Sequence, residues 1–274
     1  MCQVLDLPDV TLCCVDTRTV HLARYALERC LSATRFGDAI FLGPQGEHEQ
    51  YPMPPGVSWI DTKPLQGIKD YNRIVLRELL PHIRTSHVLI VQWDGFITHP
   101  ELWRPDFLSM DYIGPPWYHG GHPGMVGNGG FSLRSRRLLD ALASMQDIDT
   151  AEPEDMVICV QRRAELEELH GIRFAPLDMA KDFGCEYGSY RPSFGFHGMH
   201  NFVNVMSSAE LAAWLTICPA EILASKHSRK LIKELINNNK SKEAVDLIKK
   251  RVSLTGWNID GLNLMARSLL KLKR

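Results

Sequence analysis

The feature that most constrains the fold is the apolar run Val88-Leu89-Ile90-Val91, which is followed at once by Gln92-Trp93-Asp94. An uninterrupted, β-branched-rich run of this length is typical of a central strand buried on both faces, and such strands occur in sheets that helices cover on both sides. In open α/β sheets, ligands bind at the carboxyl ends of the strands. The sequence therefore predicts an α/β protein with a ligand site at residues 92–94.

Other segments carry the alternating strand and helix patterns that an α/β fold requires. Further strands, each a short apolar run, are predicted at residues 10–15, 39–42, 57–60 and 131–133. Helices, each with apolar residues at helical spacing, are predicted at residues 20–32, 72–83, 134–144 and 157–169. Strands that alternate with helices in this way indicate one large α/β domain.

The net charge of −1 conceals two differently charged segments. Residues 222–274 contain thirteen Lys and Arg against four Asp and Glu, or +9, which leaves eighteen against twenty-eight, or −10, for residues 1–221. Apolar residues of the basic segment fall at helical spacing, with breaks at 237–239 and near 255–256, and predict three short amphipathic helices. We therefore expect a catalytic domain at 1–221 and a helical region at 222–274.

The cysteines and the hydropathy pattern favour a cytoplasmic protein. The seven cysteines are scattered and contain no CxxC pair, which disfavours a disulfide framework and a cysteine zinc site. No apolar run approaches the roughly 18 residues that cross a bilayer, and the first residues lack the basic and apolar regions of a signal peptide.

Asp94 has two interpretations. Mg²⁺ and Mn²⁺ prefer carboxylate oxygen, and a carboxylate at a strand end is held rigidly enough to bind such a cation together with a diphosphate. Alternatively, Asp94 only begins a turn, because Asp-Gly is a common turn pair and Gly95 follows it.

A glycine-dense loop lies further along the chain. Residues 111–130 contain seven glycines but match neither the P-loop nor the dinucleotide fingerprint. Such a loop lets backbone N–H groups approach a ligand closely, and Trp117 and Tyr118 can stack on a sugar or a base. The alternative is an ordinary surface loop with a hairpin turn.

Two acids and one histidine are candidates for chemistry. Glu154 and Asp155 precede a helical pattern, where acids are expected from capping alone, but one of them could accept a proton from an acceptor hydroxyl. Asp155 is the first choice of base and Glu154 the second. His197 follows Phe196, and glycines flank this Phe-His pair on both sides. His197 could bind a metal ion or serve only as a structural hydrogen-bonding residue.

Taken in order, these stretches resemble the DUF5672 family of GT-A-type glycosyltransferases. The shared stretches are Gln92-Trp93-Asp94, Tyr112 to Trp117, Gly127 to Arg134, Glu154-Asp155 and Phe194 to His197. The resemblance covers about residues 8–205. It implies a GT-A fold, which is a Rossmann-like, three-layer α/β/α arrangement with a mixed sheet, here followed by a small C-terminal α-helical appendage.

The resemblance also implies an activity and a set of site residues. The implied reaction is metal-assisted and inverting. It transfers a sugar from a UDP-sugar to a hydroxyl of a glycan, lipid-linked or protein acceptor, with Asp155 as the base. A divalent cation, Mn²⁺ or Mg²⁺, would be held by Asp94 and His197, although Gln92 replaces the first acid of the usual Asp-x-Asp. The implied sugar pocket contains Trp117 and Tyr118. The implied donor contacts are Asp16, Thr17, Tyr71, Arg73, Trp93, Asn128, Gly129 and Gly130.

A second function class stays open at this point. The missing acid at Gln92 also fits a non-catalytic nucleotide- or glycan-binding protein whose helical tail recruits partners. The basic tail is either a solvated face or a segment attracted to an anionic membrane surface, which would place the protein at the inner face of the membrane. No motif supports nucleic-acid binding.

Overall fold

The apolar runs of the first 135 residues become strands in one large sheet. The computed structural model describes residues 4–117 and 125–272. Its strands are β1 (Leu5–Val15), β2 (Thr34–Pro44), β3 (Ser58–Thr62), β4 (His87–Val91), β5 (Phe96–Ile97), β6 (Tyr112–Ile113), β7 (Phe131–Ser135), β8 (Gly184–Cys185) and β9 (Gly195–Phe196). Six of them form a sheet of order β3-β2-β1-β4-β7-β6.

The large sheet is mixed, as predicted. β1 is parallel to β2 and to β4, and β3 is parallel to β2, whereas β7 is antiparallel to β4 and β6 is antiparallel to β7. The carboxyl ends of β1, β2 and β4 therefore share an edge with the amino end of β7. This edge holds the segments that follow β1 and β4 and the glycine-rich segment that precedes β7.

Helices cover both faces of the sheet. The helices within residues 1–197 are α1 (Val20–Ala33), α2 (Ile68–Arg73), α3 (Arg136–Ser144), α4 (Glu154–Met156), α5 (Arg163–His170) and α6 (Leu177–Phe183). π-helical turns lie at Ile74–Glu78 and Val157–Gln161, and 3₁₀ turns at Leu80–His82, Pro100–Leu102 and Pro105–Ser109. On one face, Val75 and Leu79 pack with Cys13 and Ile90 in the core. On the other face, α1 packs against β1 and β2. The three-layer α/β class is therefore confirmed.

Three predicted helix boundaries were wrong. Residues 134 and 135 complete β7, and α3 begins only after Ser135, whose hydroxyl accepts the N–H of Leu138 at 3.0 Å. The helix predicted at 72–83 begins at Ile68 and passes through a π-helical turn and a 3₁₀ turn. The helix predicted at 157–169 is interrupted by a π-helical turn and restarts at Arg163.

The chain divides into two compact units, Met1–His197 and Gly198–Arg274. The helices of the second unit are α7 (Phe202–Val205), α8 (Ser208–Ile217), α9 (Ala220–Ala224), α10 (Lys226–Asn237), α11 (Ser241–Thr255) and α12 (Ile259–Leu272). The last three confirm the three predicted helices and their breaks. Because α7 and α8 precede residue 221 yet belong to this unit, the assignment of domains at 1–221 and 222–274 stays a prediction. No helix in the described part of the chain is long and apolar enough to cross a membrane.

Candidate functional site

A small three-stranded sheet brings three polar residues to one point. Its order is β5-β9-β8, with β8 parallel to β9 and β5 antiparallel to β9. Glu186 follows β8 and His197 follows β9, so the two residues lie at the same end of the small sheet. Asp94 lies just before β5, whose amino end is at that end of the sheet too. Residues widely separated in the sequence therefore become neighbours because of strand direction alone.

The imidazole of His197 lies between two carboxylates. Its Nε2 is 3.3 Å from Oδ1 of Asp94 and its Nδ1 is 3.4 Å from Oε1 of Glu186. Nε2 is also 3.2 Å from Oε1 of Gln92. Asp94 and Glu186 are only 3% and 6% exposed, so little water separates these groups.

Electrostatics at this point favour a positive charge. Burial by itself would lower the pKa of His197, but the nearby charges and hydrogen bonds of Asp94 and Glu186 outweigh it and hold that pKa well above its usual range. Two buried carboxylates around one imidazole attract a cation, whether a proton or a metal ion.

Asn128 fixes the orientation of Glu186. The Asn128 amide donates a hydrogen bond to Oε2 of Glu186, and its Oδ1 accepts the backbone N–H of Gly130 at 3.2 Å. The backbone of Asn128 has a φ of +40°, in the left-handed region that Asn tolerates better than most residues. One Glu186 oxygen therefore faces Asn128 and the other faces His197.

The glycines of the loop permit close packing around these side chains. A Cβ atom at Gly130 would collide with the imidazole of His197, and one at Gly129 would collide with the Glu154 carboxylate. The Gly129 N–H donates to Oδ2 of Asp155 at 3.2 Å. Both N–H groups that were predicted to approach a donor thus have partners within the protein, and their role as donor contacts stays a prediction.

Glu154 and Arg134 form a buried ion pair next to this loop. Nη2 of Arg134 is 2.9 Å from Oε1 and 2.8 Å from Oε2 of Glu154, and the two side chains are 0% and 5% exposed. Burial raises the pKa of the Glu154 carboxyl, and the positive charge of Arg134 limits the rise. The Glu154 N–H also donates to Oδ1 of Asn72 at 3.2 Å. Glu154 is thus held from two sides at the start of α4.

Asp155 is more accessible than Glu154. It is half-buried, and besides the Gly129 N–H its carboxylate accepts the N–H of Met156 at 2.9 Å. Burial and then Glu186 raise the pKa of Tyr187, and the charges of Asp94 and Asp155 add to that rise.

The predicted donor contacts after β1 make turn interactions. Oδ1 of Asp16 accepts the N–H groups of Arg18 and Thr19, at 2.7 and 2.6 Å, just before α1. The hydroxyl of Thr17 accepts the N–H of Leu65 at 2.8 Å. Both lie at the ligand-binding edge of the large sheet, and contact with a nucleoside stays a prediction for them.

Other predicted contacts lie around Gln92. Tyr71 is buried with its hydroxyl beside the Gln92 side chain, and burial raises its pKa. The guanidinium of Arg73 pairs with Glu78. Trp93 is half-buried. Their donor contacts stay predictions too.

Of the two predicted sugar-pocket residues, the structure describes Trp117. Trp117 is 6% exposed, and its ring packs so closely on Gly127 that a Cβ atom there would collide with it. Tyr118 lies outside the described residues. Stacking on a sugar by either residue stays a prediction.

The side chains around His197 suit a divalent cation bound together with phosphate. No group of three or more His, Cys, Asp and Glu within residues 4–117 and 125–272 could hold a metal ion. Asp94, Nε2 of His197 and the amide oxygen of Gln92 nevertheless converge, and Mg²⁺-like ions commonly use one or two carboxylates with the remaining positions taken by water and substrate phosphate. Glu186 would then hold the opposite imidazole nitrogen, as second-layer carboxylates do at metal sites.

Glu186 and Tyr187 were missed in the sequence. They follow a two-residue strand, which is too short to show alternation, and their segment carries no recognisable motif. The one available signal was the acid directly after Gly184-Cys185, and acids at strand ends are common.

Comparisons with known proteins give one family match and several structural similarities. The family described as "Protein of unknown function (DUF5672)" matches residues 56–197, just over half of the chain. No curated protein sequence matches.

The similar solved structures include a mannosyltransferase, LgtC and a synthase. The mannosyltransferase PcManGT from Pyrobaculum calidifontis, in complex with GDP-Man and Mn²⁺, is 10% identical, with 98% of this chain and 88% of that chain covered and a TM-score of 0.42. An active-site mutant of LgtC is 14% identical over 78% and 95% of the two chains, with a TM-score of 0.45. Glucosyl-3-phosphoglycerate synthase from Mycobacterium tuberculosis, with Mn²⁺, UDP-glucose and phosphoglyceric acid, is 11% identical over 61% and 68%, with a TM-score of 0.39.

Proposed function

Because the chain belongs to the DUF5672 family, we propose that it is a glycosyltransferase that moves a sugar from a nucleotide-sugar donor, a UDP-sugar, to an acceptor hydroxyl. The observation that carries the proposal is the convergence of Asp94, Gln92 and His197 at 3.2 to 3.3 Å. The half-buried Asp155 accepts the N–H of Gly129, the residue before the Gly130 on which the His197 imidazole packs. A cation-binding group and a separate carboxylate base are what metal-assisted, inverting sugar transfer requires.

Asp94 and His197 are the proposed ligands of the divalent cation, with Gln92 adding a neutral oxygen. When bound, a cation of the Mn²⁺ or Mg²⁺ kind would offset the charge that builds up on the leaving diphosphate. Oε1 of Glu186 lies 3.4 Å from Nδ1 of His197, and this carboxylate would hold the imidazole so that Nε2 stays directed toward Asp94. Asn128 keeps Glu186 in that orientation.

Asp155 is the proposed base. The acceptor oxygen forms a bond to the anomeric carbon as the bond from that carbon to the diphosphate oxygen breaks, and the hydroxyl proton passes to the Asp155 carboxylate. Attack from the face opposite the leaving group inverts the anomeric configuration. Glu154 is better suited to positioning, because its ion pair with Arg134 holds the first turn of α4 in place.

A second candidate is a non-catalytic nucleotide- or glycan-binding protein. It is favoured by Gln92, which leaves the site with one acid fewer than the usual Asp-x-Asp. Slow hydrolysis of a UDP-sugar without acceptor distinguishes the two candidates, because only a transferase is expected to cleave the donor.

Calorimetric titration of UDP and of GDP, each with Mn²⁺ and with EDTA, tests the proposal. We expect UDP to bind only with Mn²⁺, and Asp94→Ala to abolish this binding. Asp178→Ala is the matched control, since the Asp178 side chain is 94% exposed and its one ion pair within the described residues is with Lys181, three positions further along. Failure of both nucleotides to bind under every condition would contradict the proposed donor class.

The base assignment needs a separate measurement. Asp155→Asn is expected to retain Mn²⁺-dependent UDP binding and to lose sugar transfer by about 10²-fold or more, the usual contribution of a general base. Normal turnover by this variant would remove Asp155 from that role.

A further inference from the structure

Apolar residues lie on two sides of helix α12, and the side with more of them is exposed. Exposed fractions are 79% for Ile259, 56% for Leu262, 46% for Leu269 and 67% for Leu270. These residues and Ala266 recur at spacings of three, four and seven, so they lie along one side of the helix. We call these five residues the α12 apolar face. The side that α12 buries contains one leucine, Leu264, and two small residues, Gly261 and Ser268.

A groove containing basic side chains adjoins this face. It has a volume of about 410 Å³ and lies between α10 and α12. Its lining includes Lys233 and Arg267 as well as Ala266 and Leu270, which also belong to the α12 apolar face. The groove is therefore continuous with the apolar face.

The charges of the groove are mainly positive. Its acid, Asp260, is already paired with Arg229, with oxygen–nitrogen distances of 2.6 Å. Lys233 and Arg267 form no ion pair with any residue of the described ranges. Around them, residues 222–274 carry thirteen basic and four acidic side chains. The groove thus offers two cations to an anionic group.

We propose that α12 and the adjoining groove bind the surface of an anionic phospholipid bilayer. The α12 apolar face enters the boundary between headgroups and acyl chains, and Lys233 and Arg267 contact headgroup phosphates. Apolar area together with basic residues is what holds amphipathic helices at anionic interfaces. With 14 residues, α12 is too short to span the bilayer and lies along its surface.

The charge of the segment favours a lipid surface over a second copy of the chain. Pairing two α12 apolar faces would bring two segments of net charge +9 together, which costs electrostatic free energy. An anionic bilayer instead neutralises the same charges. The inference does not depend on the proposed transferase activity.

Cosedimentation of the full chain with lipid vesicles tests the inference. We expect binding to vesicles of equal parts phosphatidylcholine and phosphatidylglycerol, and none to vesicles of phosphatidylcholine alone. Leu262→Asp with Leu270→Asp, and separately Lys233→Glu with Arg267→Glu, should each weaken binding roughly tenfold or more. Leu169→Asp is the matched control, because Leu169 is 75% exposed on α5 and lies outside this surface.

Fluorescence gives a second, local readout. Trp257 lies two residues before α12 and is 55% exposed, so its emission should shift to shorter wavelength on binding. The shift should disappear in Trp257→Phe, which leaves five other tryptophans.

Three outcomes would overturn the inference. The first is equal binding to neutral and anionic vesicles, or to neither. The second is wild-type binding by the leucine double variant with an unchanged thermal unfolding curve. The third is a dimer in light scattering that the leucine double variant dissociates, because the α12 apolar face would then be an interface between copies of the chain.

Discussion

Replacing Glu154 by glutamine should destabilise the first unit far more than the loss of a surface ion pair would. Glutamine keeps the size of the side chain but removes its charge, so Arg134, which is 0% exposed, loses the carboxylate that compensates it. Breaking a buried pair by removing one partner costs about 3 to 5 kcal/mol. The surface pair of Arg163 and Glu167 on α5 has side chains that are 28% and 44% exposed, and such pairs contribute about 0 to 1 kcal/mol.

Urea unfolding of four variants measures this difference. Glu154→Gln and Arg134→Met are the single variants, their combination completes a double-mutant cycle, and Glu167→Gln is the surface control. The double variant should lose less stability than the two single variants added together, because it contains no uncompensated buried charge. Since the chain has two compact units, hydrogen exchange of amides in β7 and α4 assigns the loss to the first unit.

If Glu154→Gln loses no more stability than Glu167→Gln, Arg134 does not depend on Glu154. The proposed role of the pair in holding α4, which contains Asp155, would then be wrong.

Three further predictions concern the site and the core. Gly130→Ala should displace the His197 imidazole and weaken Mn²⁺-dependent nucleotide binding by roughly 10- to 100-fold, measured by calorimetry. Glu186→Gln should weaken Mn²⁺ binding by a similar factor of roughly 10 to 100, and an unchanged affinity would exclude Glu186 as the group that orients His197. His87 is buried, and burial lowers its pKa. The unfolded chain therefore binds more protons than the folded one, and the stability gained from a neutral His87 is present above about pH 6.5 and is lost as pH falls through the lowered pKa. Unfolding curves at several pH values should show a smaller acid-induced loss for His87→Gln than for the wild type.

The sequence predicted the elements that are long enough to show a period. Strand β4, predicted from the apolar run that begins at Val88, forms at His87–Val91, and the three tail helices form with the predicted breaks. The errors arose where local bonding overrides the pattern. Arg134 belongs to β7, where it pairs with Val88 of β4 and Tyr112 of β6, and the hydroxyl of Ser135 caps α3.

The candidate site was predictable only in part. Asp94 and His197 could be proposed because each lies in a recognisable stretch, but their separation of 3.3 Å follows from strand pairing that no sequence period reveals. Glu186 could not be found, since β8 and β9 contain two residues each and give no strand signal. The packing of Gly130 on the imidazole was equally hidden, because it involves contacts between distant parts of the chain.

The small sheet that joins β5, β8 and β9 also bears on the order of folding. Gln92 and His197 are 105 positions apart, and loops of that length close late because their closure costs entropy before any contact is gained. The six-stranded sheet uses no residue beyond Ser135, so it can form before His197 arrives. The formation of the large sheet and the completion of the candidate site are thus separable steps in the folding of this chain. Refolding can be monitored both by the β-sheet signal and by cation binding. We expect cation binding to recover well after the β-sheet signal, when the last strand, β9, has paired.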